Sequence, residues 1–270
     1  MLNVISKDGT KIAYDKYGDG PVIIMVGGAF QHRAIDLNIA SLKLNQHHMQ
    51  LAGLLASYFT VIHYDRRGRG DSGDTLPYTV KREIEDIEAL INEMGESAFL
   101  FGMSSGGVLA LEAVVQGLNI KKLALYEPPF NIDKKTQMAL ENYRKEIIAL
   151  LADDCRSDAI ALAMKTFGTP SLAIYGMRRT PVWSNFESVA PTLAYDAIIM
   201  GDGSIPREHL ANVTTPTLII NGELSPVWLH RASRALMDTL PKVKHITLEG
   251  QTHEFEPEIL APVLHEFFTD

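Results

Sequence analysis

The chain has a single cysteine, Cys155, in 270 residues, and one thiol excludes both an intramolecular disulfide and a cysteine-based zinc cluster. This fits a reducing compartment without requiring one. Positive charge is also in short supply, since 25 Lys and Arg stand against 33 Asp and Glu for a net charge of −8. With no long Lys/Arg block there is no basis for a nucleic-acid partner held by phosphate contacts. No apolar run reaches the roughly 18 residues that span a bilayer. The opening MLNVISKDGTKIAYD is polar and alternating, unlike the charged-then-apolar pattern of a signal peptide. The sequence therefore predicts a cytoplasmic protein with no membrane or nucleic-acid partner; a second copy of the chain is the one protein partner left open. Internal repeats and low-complexity tracts are missing too. What is present is 46% hydrophobic residues, enough for one sizeable core in a single domain with room for an insertion.

Asp8-Gly9 between the alternating segments Asn3–Ser6 and Lys11–Tyr14 predicts an opening antiparallel hairpin. Val22–Val26 is an unbroken apolar run ended by Gly27-Gly28, as expected of a strand covered on both faces. Phe59–Tyr64, Ala98–Phe101, Leu123–Tyr126, Leu218–Ile220 and His245–Leu248 share that character. Between them lie helical patterns such as Val80–Met94, where Ile84, Ile87, Leu90 and Ile91 recur at three and four while Lys81, Arg82 and Glu83 are expected to face water; Gly95 closes that helix. The alternation predicts an α/β fold with a doubly wound, mostly parallel sheet. From residue 131 to 211 helical stretches such as Thr136–Leu151 and Ser157–Phe167 follow one another without a strand, so this segment reads as a helical cap inserted between core segments 1–130 and 212–270. The connection Gln31–Gln50 is long for its place and is expected to fold over the sheet.

Phe101-Gly102-Met103-Ser104-Ser105-Gly106-Gly107 follows a predicted strand and precedes a helical pattern. A strand turning sharply into a helix strains the middle residue, and glycines two positions to either side leave room for the backbone. Ser104 is thereby the candidate nucleophile; choosing Ser105 would put Met103 at a crowded position. His253, just past the last predicted strand, is the candidate base, because a serine hydroxyl is a poor nucleophile until a neutral imidazole takes its proton, and the imidazole needs an acceptor to fix its tautomer. His32, His47 and His48 are expected in a solvated loop rather than on a metal. Gly27-Gly28 lacks the third glycine and helix start of a dinucleotide fingerprint, so neither metal nor cofactor is expected.

Gly27-Gly28-Ala29, Tyr64-Asp65-Arg66-Arg67-Gly68-Arg69-Gly70-Asp71-Ser72-Gly73, Gly102–Gly106 and His253 in this order resemble the α/β-hydrolase superfamily over about residues 1–130 and 210–270. The resemblance implies a charged but structural turn at residues 65–73, and oxyanion-hole N–H groups from Ala29 and Ser105. The sequence departs from the common pattern at the acid: three residues after Gly222, where most members carry Asp, stands Ser225. Some members, among them certain haloalkane dehalogenases and the zearalenone-type lactone hydrolases, place a glutamate directly after the sixth strand, and Glu127 stands there. Glu127 is the preferred acid, with Glu223 as the alternative. The resemblance implies a serine hydrolase acting on an ester or lactone of a small to medium apolar substrate through an acyl-enzyme. Met103 and Trp183 are the candidate substrate contacts, with Tyr175, Met177 and Phe186 as further candidate lining residues. A receptor-like protein with little turnover, or carbon–carbon bond or peracid chemistry with the same triad, stays open.

Overall fold

The computed structural model describes residues 2–33, 44–95 and 97–270. Gly9 adopts φ 88° in the turn that pairs β1 (Leu2–Ile5) antiparallel with β2 (Lys11–Tyr17). β2 then pairs antiparallel with β4 (Thr60–Tyr64). From β4 onward every pairing is parallel: β4 to β3 (Val22–Val26), β3 to β5 (Ala98–Met103), then β6 (Ile120–Tyr126), β7 (Thr217–Gly222) and β8 (Val243–Leu248). The eight strands lie in the order β1-β2-β4-β3-β5-β6-β7-β8.

The unbroken apolar runs are explained by the layers. Ile24 and Val26 of β3 face one core, together with α2 (Val80–Met94), α3 (Ser105–Val115) and α10 (Val227–Met237). Ile23 and Met25 face the other core, with α1 (Leu44–Leu55) and α11 (Pro257–Thr269). A strand whose side chains alternate between two apolar layers has no position left for a polar residue. Helix α2 has the predicted bounds, and Gly95 caps it at φ 115° with its N–H on the Ile91 carbonyl.

Between β6 and β7 the chain forms only helices: α4 (Lys134–Ala152), α5 (Arg156–Thr166), α6 (Ser171–Met177), α7 (Trp183–Val189), a short 3-10 turn, α8 (Leu193–Met200) and α9 (Arg207–Leu210). They build a core of their own from Ile147, Ala159, Ile160, Phe186 and Leu193, and α8 packs on α3. Cys155 is exposed at the start of α5. Two expectations are corrected. Glu83 does not face water: it is buried, with Arg66 as its partner. His47 and His48 are not in a solvated loop: both lie in α1, and His48 is buried with its ring 5.4 Å from Phe255. The part of the long connection numbered 34–43 lies outside the described residues.

Candidate active site

Strand β5 runs two residues further than its apolar pattern, to Met103, and α3 begins at Ser105. The whole reversal therefore falls on Ser104, which adopts φ 51° and ψ −128°, a region costly for any residue with a side chain. Its N–H donates to the Tyr126 carbonyl at 2.9 Å. The glycine two positions later is sterically required, because a Cβ on Gly106 would stand 2.3 Å from the Val26 carbonyl oxygen and 2.4 Å from that of Gly27.

Glu127 follows β6 directly, also at positive φ, 47°, and is fully buried. Its Oε1 accepts the Gly222 N–H at 2.8 Å, and its Oε2 lies 2.7 Å from His253 Nδ1. Gly222 ends β7, and a Cβ there would stand 2.5 Å from the Gln251 carbonyl and 2.6 Å from that of Thr252, so only glycine lets the segment bearing His253 close in on the strand ends. Tyr126 anchors the same segment from the other side, its hydroxyl donating to the Thr252 carbonyl. Burial, with the Glu127 charge next to it, pushes the Tyr126 phenol well above its usual pKa, which keeps it a donor. A buried carboxylate with two donors meets the demand that buried charge be satisfied, and an imidazole held at Nδ1 presents Nε2 as the free basic nitrogen. The His253 side chain is 39% exposed.

Ser105 is buried, and its hydroxyl donates to Asp196 Oδ1 on α8 at 2.8 Å. Sequence reasoning missed Asp196 and the role of the arginines. Arg66 forms a two-pronged pair with Glu83 (2.7 Å twice) and donates to Asp196 Oδ1 at 2.8 Å. Arg69 donates to Asp196 Oδ2 at 2.7 Å, to the Gly28 carbonyl at 2.6 Å and to Thr192 Oγ1 at 3.0 Å. Two guanidinium groups thus balance two carboxylates in a buried quartet. Burial works against the Asp196 carboxylate, but Arg69 and Arg66 outweigh it and hold its pKa below the usual range. The Arg69 guanidinium is drawn down in turn by burial and by its neighbour Arg66, the electrostatic cost of two cations on one acid. No local signal in the sequence could have found them, because the counterions arrive from elements 17 to 130 residues away. Ahead of Ser104 in space, the Gly28 N–H donates to Gln31 Oε1 at 2.6 Å, and Phe30 takes φ 64°. Of the four described non-glycine residues at positive φ, Ser104 and Glu127 directly follow β5 and β6 and Phe30 lies in the loop after β3, and such strain concentrates at functional sites.

The other sequence candidates divide: Ala29 lies in the loop after β3 and Phe186 packs its ring 5.4 Å from that of Phe30, while the rest point to other partners. The Glu223 carboxylate accepts the exposed Gly250 N–H at 3.0 Å. Met103 is buried in the core below the elbow, its sulfur 3.6 Å from Gln31 Nε2. Trp183 is buried in the core of the insertion, with its indole N–H on Ser157 Oγ at 2.8 Å. Phe186 is buried there too, whereas Tyr175 is 58% exposed. Ala29 is half-buried beside Phe30. Among the described residues no three His, Cys, Asp or Glu side chains are grouped as metal ligands, and no helix is long and apolar enough to cross a membrane.

Known proteins share this architecture. A solved alpha/beta hydrolase from Sphaerobacter thermophilus is 44% identical, superposes with a TM-score of 0.86, and covers 99% of this chain and 100% of its own. A solved esterase from Exiguobacterium antarcticum has the same fold at 22% identity and a TM-score of 0.71, covering 100% and 99%. An uncharacterised hydrolase from Bacillus subtilis is 27% identical over 161 residues, 53% of this chain, and the match spans about half of that protein, 54%. The model of the alpha/beta hydrolase family matches residues 23–263. With its eight-stranded sheet and these matches, the chain belongs to the alpha/beta hydrolase family.

Proposed function

We propose that the chain is a serine hydrolase that cleaves a carboxylic ester or lactone of a small to medium apolar substrate through an acyl-enzyme. The observation that carries this reading is the 2.7 Å contact between Glu127 and His253 at the strand ends that also bear the strained Ser104. In this scheme His253 Nε2 takes the Ser104 proton as the hydroxyl attacks the carbonyl carbon. Glu127 holds the Nδ1–H tautomer and offsets the imidazolium charge. The N–H groups of Ala29 and Ser105 receive the negative oxygen of the tetrahedral intermediate; Ser105 opens α3, so its N–H is one that no helical carbonyl can satisfy. His253 then protonates the leaving alcohol, and water, activated by the same imidazole, releases the acid. Every role is filled by a group of the chain itself. The helices between β6 and β7 would act as a cap over the acyl site.

The test is a panel of 4-nitrophenyl esters of increasing acyl length, together with lactones, assayed with wild type and Ser104→Ala and paired with fluorophosphonate labelling. Expected are labelling at Ser104 alone and a loss of kcat/KM on the order of 10³ or more in the variant. Retained turnover by Ser104→Ala sinks the serine mechanism. Wild type inert over the whole panel would point to a receptor-like binding protein instead.

A further inference from the structure

Asp196 lies on α8, outside the hydrolase core and 92 residues beyond Ser104, yet its carboxylate touches Ser105 directly and reaches the Gly28–Ala29 peptide through Arg69. Its Oδ1 accepts the Ser105 hydroxyl at 2.8 Å, and its Oδ2 accepts Arg69 Nη2 at 2.7 Å. Arg69 Nη1 donates in turn to the Gly28 carbonyl at 2.6 Å and to that of Gln31 at 3.3 Å. The Gly28 oxygen belongs to the same peptide unit as the Ala29 N–H. That unit is planar and trans, so its C=O and N–H point in opposite directions, and gripping the oxygen sets the direction of the N–H. A cation on the carbonyl also polarises the peptide and strengthens its N–H as a donor. Arg66 treats the preceding peptide in the same way, reaching the Gly27 carbonyl at 3.3 Å, while the N–H of that unit sits on Gln31 Oε1.

We propose that Asp196 is a positioning residue for the oxyanion hole: it holds Ser105 directly and the Gly28–Ala29 peptide through Arg69, so that docking of α8 aligns the two N–H donors. This rests on the serine-hydrolase reading above. Its consequence is that chemistry is confined to the state in which the inserted helices are seated. An undocked insertion removes the Asp196 carboxylate and leaves Arg66 paired with Glu83 but Arg69 without its acid under the oxyanion loop.

The experiment compares Asp196→Asn with wild type on 4-nitrophenyl butyrate. It also compares the inhibition constants of a trifluoromethyl ketone, whose serine adduct carries an oxyanion, and of the matching secondary alcohol, which forms none. Expected is a fall in kcat and in ketone affinity by the same factor, about 10- to 100-fold, short of the 10²–10³ that deleting a donor outright costs. KM and alcohol affinity stay within about threefold. Asp86→Asn provides the control for lost stability, because it breaks the buried Arg67–Asp86 pair of the same turn without touching the oxyanion loop. It should lower Tm and leave kcat within about threefold. Should Asp196→Asn fail to fold, Arg69→Lys carries the test with the same expectations, since an ammonium cannot span Asp196, Thr192 and Gly28 together. A loss confined to KM, or equal to that of Asp86→Asn at matched Tm, overturns the proposal. Turnover retained by Ser104→Ala overturns the serine-hydrolase reading and this proposal with it. An inactive Ser104→Ala alongside an unimpaired Asp196→Asn overturns this proposal alone.

Discussion

Glu127 Oε2 lies 2.7 Å from His253 Nδ1, whereas Glu223, one residue past β7, uses its carboxylate on the Gly250 N–H. Both are strand-end glutamates, and only the first reaches the histidine. Glu127 also accepts the Gly222 N–H, so each of its two oxygens must act as an acceptor. In Glu127→Gln one of the two must become an NH₂, which either opposes the Gly222 N–H or forces the wrong imidazole tautomer. The expected loss in kcat is about 10²–10⁴, with Glu223→Gln within about threefold of wild type. Steady-state kinetics on a single ester checks both, and the reverse ranking would transfer the acid role to Glu223.

Gly222→Ala should impair catalysis more than folding. Its Cβ would collide with the Gln251 and Thr252 backbone at 2.5 and 2.6 Å, pushing His253 away from Glu127. Misplacement of a catalytic group by about 1 Å costs on the order of 10² in rate. Gly53→Ala supplies the contrast: it lies in α1 with nothing within 4 Å of the new Cβ. That change should raise stability by roughly 0.5–1 kcal/mol and leave kcat alone. Urea denaturation and kinetics on the two variants separate the effects.

The central strands, the bounds of α2 and the elbow at Ser104 were legible in the sequence because each rests on residues near one another in the chain: apolar runs, a capping glycine, glycines flanking a serine. The placement of Glu127 came from the resemblance together with the apolar strand it follows. The buried charges were not legible. Glu83 sits among charged residues of an amphipathic helix, and its burial is decided by Arg66, 17 residues away; Arg66 in turn meets Asp196 across 130 residues. Periodicity reports which face of a helix is apolar, and it carries no information on a charge whose counterion arrives from a distant element. Trp183 illustrates the opposite confusion: an aromatic residue in the insertion suggests a pocket, but its indole is held by Ser157 inside the helical core.

Arg67 is a sharper test of those buried charges. It is fully buried, pairs through two nitrogens with Asp86 at 2.7 and 2.8 Å, and reaches Asp8 at 3.0 Å. Removing one partner strands a charge in the interior, so Arg67→Met should cost about 3–5 kcal/mol. Arg178→Met, which breaks an exposed pair with Asp158, should cost less than about 1 kcal/mol. Equal effects in chemical denaturation would mean that the Arg67 pair is solvated.

His63 should make the fold acid-sensitive well above the carboxylate range. It lies on β4, fully buried, with Nδ1 lacking a hydrogen-bond partner among the described residues. Burial first, then the charges of His48, Arg33 and His32, push its pKa down to about 3. In the unfolded chain a histidine titrates near 6.5. Between these values the unfolded state binds a proton that the folded state refuses, so stability falls as pH falls from about 6.5 toward 3, by at most about 1.4 kcal/mol per pH unit. Above pH 7 both states are neutral at this position and the contribution vanishes. His63→Gln removes the titration while keeping a polar side chain. Between about pH 6.5 and 5, wild type should therefore lose about 1.6 kcal/mol more than the variant, measured as the difference between two urea-denaturation series. A pH-independent difference would show that His63 takes up its proton in the folded protein.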